Sequence, residues 1–366
     1  VWVTFLISVG TLCAISTVLA ILMVIAESTI GNYGEVTITI NGDKTIQAQG
    51  GRSLLNTLKE AKVFIPSACG GRGSCGLCKC KVIAGAGDIL PTELPWLSED
   101  EKKNNIRLSC QIKVKQDMQL EIDPNLLYVR EFRTRVASII DLTHDIKQLT
   151  LALEAPNTID FTAGQFMQIE APEYELTDEP VYRAYSLSSS PSQHNTIEME
   201  IRLVPDGICT TYIHRHLKVG DTMTVNGPYG NFCLSNTDAP IICIAGGSGM
   251  APIKSILSHM KEQNIQRKAM YFFGARSKRD LFLLDEMKQL ESELFDFKFV
   301  PALSEPAETD NWEGETGLIT EVVDRYTQDA TKMEAYLCGS PFMIDACVAV
   351  LTQNGMPEAN IFYDKF

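Results

Sequence analysis

Hydrophobic and polar positions divide the chain into stretches of different period. Val1 to Ala26 carries no charged side chain. As a helix this run would reach about 39 Å, enough to span a bilayer with some tilt. No Lys or Arg precedes it, and it is longer than the apolar core of a signal peptide. The pattern therefore predicts a transmembrane helix over residues 1–26 rather than a cleaved leader or a buried soluble helix. The flanking charges, Glu27 and Glu35 with the first lysine at Lys44, do not set its orientation.

Beyond this run Glu35–Ile40 alternates as a strand, Asn41-Gly42 is a hairpin-turn signal, and Lys44–Ala48 reads as the returning strand. Ser53 is placed to cap a helix carrying Leu54, Leu55 and Leu58, which ends before Ile65-Pro66. Lys79–Ile83 and Leu108–Val114 resume strand character, so residues 34–123 read as one α+β module. From 130 to 235 short strands alternate with Gly, Pro and Asp turns: Arg135–Ile140, Ile146–Leu153, Gln165–Glu170, Ala184–Leu187, Thr196–Leu203 and Thr222–Val225. With one helix over Thr210–Leu217, that pattern predicts a small antiparallel β-barrel. At Pro240 the period changes. Ile241–Ala245 is continuously apolar, the mark of a strand buried on both faces. Helices and strands alternate from there, so residues 236–366 are predicted as a doubly wound parallel sheet. The fold class is multidomain, α+β and α/β.

Composition narrows the chemistry. The net charge of −14 disfavours nucleic acid as a partner. The eleven cysteines are odd in number and form no disulfide-like framework, which fits a reducing compartment. None of the five histidines shows metal-ligand spacing.

Four cysteines stand apart. Cys69, Cys75 and Cys78 form C-x5-C-x2-C, and Cys110 follows downstream. Plant-type [2Fe–2S] sites use C-x4-C-x2-C with a distant fourth cysteine, so this loop is one residue longer at its first gap. Glycines at 70, 71, 73 and 76 permit a tight wrap and let backbone N–H groups point at sulfur. Zinc would also take four thiolates, but zinc ribbons show two C-x2-C knuckles, and here there is one. The reading is a β-grasp ferredoxin domain over 34–123, with these four as cluster ligands. Cys80 is expected to be a packing residue.

Within the barrel segment, Arg183-Ala184-Tyr185-Ser186 suits a flavin: a guanidinium fork for phosphate, a ring to lie against the isoalloxazine or ribityl chain, and a hydroxyl near N5. Gly207, Cys209 and Thr210 open a helix whose free N–H groups would face a pyrophosphate; an ordinary capped helix is the other reading. Gly246-Gly247-Ser248-Gly249-Met250-Ala251-Pro252 joins the first buried strand to a helix. It lacks the G-x-G-x-x-G form, and serves either a dinucleotide's phosphates or simply a tight turn. Gly274 and Arg276 end the next strand at the carboxyl edge, and Cys338-Gly339 ends a later one. Cys338 is placed near a nicotinamide ring, with no base beside it to make it a nucleophile. The last residue, Phe366, is an aromatic able to fold back onto a flavin face, or a frayed end.

Taken together, these motifs and the N-terminal apolar run resemble the F subunits of Na⁺-translocating NADH:quinone reductases over nearly the whole chain. From residue 130 onward the chain is also similar to the ferredoxin–NADP⁺ reductase superfamily. The resemblance implies FAD as the flavin and NADH as the donor, with Ser186, Cys338 and Phe366 at the hydride-transfer site. It implies single electrons passed to a [2Fe–2S] cluster, then to other subunits of a membrane redox complex and indirectly to quinone. It also implies a single-pass protein of the bacterial inner membrane facing the cytoplasm. Two motifs depart from the family. Its usual Cys-Gly-Pro-Pro is Cys338-Gly339-Ser340-Pro341 here, and the Leu187-Ser-Ser-Ser-Pro191 that follows Ser186 reads more like reductases of oxygenases. A reductase feeding an oxygenase is accordingly the alternative.

Overall fold

The structure is a computed structural model that describes residues 2–30 and 33–365; Phe366, the expected stacking aromatic, lies outside the described residues. It has two compact units, Val1–Tyr128 and Val129–Phe366.

The first unit begins with helix α1, Trp2–Ile30. The side chains described without interruption, Ile7 to Met23, are all exposed. Among the described residues no helix is long and apolar enough to cross a membrane. A five-stranded mixed sheet follows: β1 (Glu35–Ile40), β2 (Lys44–Gln49), β3 (Lys79–Ala84), β4 (Ile106–Leu108) and β5 (Met118–Glu121), in the order β2-β1-β5-β3-β4. Strands β1 and β2 form the hairpin that Asn41-Gly42 dictates, and β5 returns parallel to β1. Helix α2 (Leu54–Glu60) is capped by Ser53, whose Oγ accepts the Asn56 N–H at 3.3 Å. It buries Leu54 and Leu58 with Ile38, Ile40 and Leu120. The short α3 (Glu99–Lys103) precedes β4.

The second unit opens with an antiparallel sheet of β6 (Arg130–Asp141), β7 (Ile146–Ala155), β8 (Phe166–Ala171), β9 (Val181–Ser186), β10 (Thr196–Arg202) and β11 (Thr222–Tyr229). The order is β10-β7-β6-β11-β8-β9. The expected barrel is instead a curled half-barrel. Its edge strands β9 and β10 share no ladder and meet at one bridge, Leu187 to Met199, because the chain leaves strand geometry after Ser186. Alternation on β10 sends Ile197, Met199 and Ile201 into the core, so Glu198, Glu200 and Arg202 take the opposite face. The helix expected at Thr210–Leu217 begins earlier, as α4 (Ile208–Thr211), and widens into a π-helical turn over Tyr212–His216.

The third sheet is parallel throughout: β12 (Ile241–Gly246), β13 (Ala269–Ala275), β14 (Phe297–Leu303), β15 (Glu315–Thr316), β16 (Glu334–Gly339) and β17 (Ile361–Lys365), ordered β15-β14-β13-β12-β16-β17. Helices α5 (Met250–Glu262) and α6 (Leu284–Glu293) contribute to one buried cluster, α7 (Ile319–Tyr326) and α8 (Pro341–Gln353) to another. Covering both faces explains the continuous apolar runs. The last strand was not legible as one; it pairs with β16 and stacks Phe362 on Tyr336 at 5.0 Å.

One polar cluster fixes the join between the two sheets of this unit. The Glu334 carboxylate accepts from Ser235 Oγ (2.5 Å), Thr237 Oγ1 (2.6 Å), Arg267 Nη2 (2.9 Å) and Tyr336 OH (3.0 Å). Arg267 also donates to the carbonyls of Ser235 and Ala239. Burial opposes the Glu334 charge, but these bonds outweigh it and hold the carboxyl down to about 2.

Candidate functional site

The four cysteines of the first unit lie as two pairs. The Cys69 and Cys75 thiols are within hydrogen-bonding reach of each other, and so are those of Cys78 and Cys110. The Cys75 partner, followed by the N–H groups of Ser74 and Arg72, draws Cys69 down against its burial. Cys78 first, then Gln111 and the Gly73 N–H, draw Cys110 down, again against burial. Their partners Cys75 and Cys78 are pushed up. Gln111 Nε2 reaches the Cys110 sulfur at 3.4 Å. Among the described residues no three His, Cys, Asp or Glu side chains converge on a point that would hold one metal ion. Two thiol pairs with backbone N–H groups aimed at sulfur are not a zinc cage. They are the donor set a two-iron group requires. Cys80 is buried in the core on β3, and burial pushes its thiol up to about 12.

In the second unit, β9 carries Arg183, Ala184, Tyr185 and Ser186. The Tyr185 hydroxyl is buried without a hydrogen-bond partner. A polar atom left in that state costs about 1–3 kcal/mol, and a ligand hydroxyl beside the ring would satisfy it. The residues therefore fit a flavin with a polar ribityl chain. Cys209 Sγ donates to the Val181 carbonyl at 3.2 Å, and Thr210 Oγ1 donates to the Gly207 carbonyl at 3.3 Å. These two side chains hold the Gly207 turn against β9. Only the backbone of that turn remains for an anion.

A cleft of about 900 Å³ opens at the carboxyl edge of the parallel sheet and is lined by Gly246, Gly247, Gly274 and Arg276. Strand order reverses at β12, where open α/β sheets bind ligands. Gly249, Met250, Ala251 and Pro252 do not line it. Met250, Ala251 and Pro252 are buried and seat α5 on the sheet. A side chain at Gly249 would collide with the Cys338 carbonyl, so that glycine permits close packing of the turn on β16. Cys338 is fully buried behind the cleft, and burial pushes its thiol up, leaving it protonated. Gly339 follows it with φ +142°. Asp364 on β17 pairs in register with Cys338, and burial pushes its carboxyl up to about 6. Arg276 is engaged with Glu305, Nε to Oε2 2.8 Å.

Comparison with known proteins follows this layout. The 2Fe-2S iron-sulfur cluster binding domain family matches residues 38–115, the oxidoreductase FAD-binding domain family 133–233, and the oxidoreductase NAD-binding domain family 243–349. The F subunit of the Na(+)-translocating NADH-quinone reductase of Neisseria meningitidis is 37% identical over 391 aligned residues, covering 95% of this chain and 96% of its own. The chain belongs to the family of these F subunits. The Pseudoalteromonas atlantica F subunit is 36% identical and covers 98% of both chains. Among solved structures, an Amycolatopsis cytochrome P450 reductase superimposes with a TM-score of 0.74 at 25% identity, over 90% of this chain and 98% of its own. The ferredoxin reductase of a carbazole 1,9a-dioxygenase gives 0.70 at 27%, over 91% and 98%.

Two residues of the cleft lie outside every motif. Arg202 reaches from β10 so that its guanidinium sits 2.8 Å from where a Gly247 side chain would begin, and Asp145 holds its Nε at 3.0 Å. The alternation of β10 was the signal for it. Met343, from α8, places its sulfur 3.1 Å from the corresponding point on Gly246 and its methyl 3.0 Å from that on Gly339. A side chain at Gly246 would crowd the Met343 sulfur, and Gly339 also takes a φ that favours glycine.

Proposed function

We propose that this chain is the NADH-oxidising subunit of a membrane-bound, Na⁺-translocating NADH:quinone reductase, working with partner subunits that carry electrons on to quinone. FAD and the cluster, when bound, supply acceptance of a hydride followed by release of electrons one at a time. The protein's contribution is placement and exclusion of water. Gly246 and Gly247 let the dinucleotide backbone approach, while Arg202 and Arg276 present guanidinium groups to its phosphates. Arg183 offers its fork to the flavin phosphate, Tyr185 its hydroxyl to the ribityl chain, and Ser186 its hydroxyl near N5. Cys338, neutral and buried, packs behind the nicotinamide ring as a wall. Cys69, Cys75, Cys78 and Cys110 would hold the two irons of the cluster.

Residues 1–26 form the single span in the bacterial inner membrane, with 34–123, 130–235 and 236–366 as ferredoxin, flavin and NADH domains on the cytoplasmic side, where NADH is. No nucleic acid takes part, consistent with the net charge of −14.

The observation that carries this reading is the cleft: within one compact unit, Gly246–Gly247 and Gly274–Arg276 from the parallel sheet share it with Arg202 from the half-barrel. The test is the purified chain lacking residues 1–26. It is expected to retain FAD, oxidise NADH with an artificial acceptor, and give a cluster EPR signal on reduction. A protein that binds no flavin would sink the proposal. The likeness to the oxygenase and P450 reductases favours a second reading, a reductase for such a partner. Co-purification from detergent-solubilised membranes separates the two, since a hydroxylase rather than multi-span redox subunits would reverse the ranking.

A further inference from the structure

The loop between β3 and β4 has no part in the mechanism above, yet it forms a fully buried ion pair with β4. Glu93 is 0% and Arg107 4% exposed. Arg107 Nη2 lies 2.6 Å and Nε 3.2 Å from Glu93 Oε2, and Nε is 2.9 Å from Oε1. Glu93 also accepts the backbone N–H groups of Leu90 and Leu108, each at 2.9 Å. Arg107 donates further to the carbonyls of Gly87 (2.8 Å) and Asp88 (2.9 Å). All of these bonds except that from Leu90 tie the loop to the segment that leads into Cys110. Burial opposes the Glu93 charge, but its hydrogen bonds from Arg107, Leu90 and Leu108 hold the carboxyl low. A buried pair of this kind is weak evidence for stability, but it holds a segment in one register.

What it registers is the single turn Leu94–Trp96. Trp96 places Cε3, Cβ and Cδ2 at 3.0, 3.2 and 3.4 Å from the point where a Gly76 side chain would begin. Gly76, with φ +67°, lies between Cys75 and Cys78. The Cβ and the Cδ2–Cε3 side of the indole thus lie against the cysteine loop at Gly76, while 36% of the residue remains exposed to solvent.

We propose that Trp96 is a positioning residue for the two-iron group: its indole closes the Cys75–Cys78 side of the loop against water and thereby sets the reduction potential, and the Glu93–Arg107 pair fixes the indole there. The proposal rests on the assignment of Cys69, Cys75, Cys78 and Cys110 as ligands. The sign follows from charge. Reduction adds a negative charge to a centre already anionic from four thiolates, and water stabilises the more charged form. Solvent access is one of the levers on such potentials.

The test uses full-length holoprotein in detergent. Iron per chain is measured first, then the EPR-monitored reductive titration of wild type, Trp96→Ala, Trp96→Phe and Trp96→Leu. Trp96→Ala is expected to titrate at a more positive potential, Trp96→Leu between it and wild type, and Trp96→Phe close to wild type. Should the alanine variant lose its iron, the leucine variant carries the comparison. Coincident titrations of the iron-loaded variants with wild type would overturn the proposal. Wild-type protein without iron would instead overturn the ligand assignment, and the iron measurement reveals that separately.

Discussion

Glu200 gives the most quantitative prediction. It is 4% exposed on the outward face of β10, and neither carboxylate oxygen has a hydrogen-bond partner. Burial pushes its carboxyl up to about 8; the Lys254 ammonium pulls the other way, and the Glu198 and Glu286 carboxylates add to the rise. The Tyr271 hydroxyl on β13 is likewise buried without a partner. A glutamate in the unfolded chain ionises near pH 4.3, roughly. Between about pH 4 and pH 8, therefore, the folded chain holds a proton that the unfolded chain has lost. Stability falls as pH rises through that window, by about 1.4 kcal/mol per unit and on the order of 5 kcal/mol in all. The penalty is absent below the unfolded value and complete above the folded one. Glu200→Gln abolishes this slope. Its amide also lacks partners, but that cost is the same at every pH and cancels from the slope. Thermal unfolding of full-length wild type and variant at pH 5, 6, 7 and 8 reads the difference. At about 2–4 °C per kcal/mol, the variant's midpoint should gain on the order of 10 °C over wild type between pH 5 and 8. Parallel curves would show that Glu200 is ionised in the folded chain, and the reasoning from its burial would be refuted.

Other expectations concern the cofactor sites. Cys75→Ser should abolish the EPR signal of the reduced cluster, while Cys80→Ser leaves it intact; equal spectra for all three proteins would remove Cys75 from the ligand set. Arg202→Gln should raise the KM for NADH about tenfold at unchanged flavin content, the effect of one charge-assisted hydrogen bond; an unaltered KM places the phosphates elsewhere. Gly249→Ala forces a methyl group against the Cys338 carbonyl and should cost about 1–3 kcal/mol of stability, read as a lower unfolding midpoint with iron content unchanged.

The sequence was informative wherever the signal was local. Three of the four cysteines proposed as cluster ligands lie within ten residues, separated by glycines, so their spacing alone described the loop. Ile241–Ala245 announced a strand covered on both faces because nothing polar interrupts it. Failures came where distant residues decide. Whether β9 and β10 close a barrel depends on pairing near Leu187 and Met199, which no local period encodes. The strand Ile361–Lys365 looked like a loose aromatic tail because its partner, β16, lies more than twenty residues earlier. The glycine-rich motif was read as a unit, yet only its first two glycines reach the cleft, since Met250 to Pro252 are taken up by the packing of α5. Arg202 and Met343 enter that cleft from other elements and belong to no motif.

The Glu334 cluster bears on how the protein withstands digestion. A connector between two sheets is ordinarily where a protease finds an extended, accessible chain. Here Ser235, Thr237 and Ala239 are tied by side-chain and backbone bonds to Glu334 and Arg267, which are almost entirely buried. Subtilisin should therefore spare this seam, and the flavin and nucleotide portions should survive limited cleavage as one fragment.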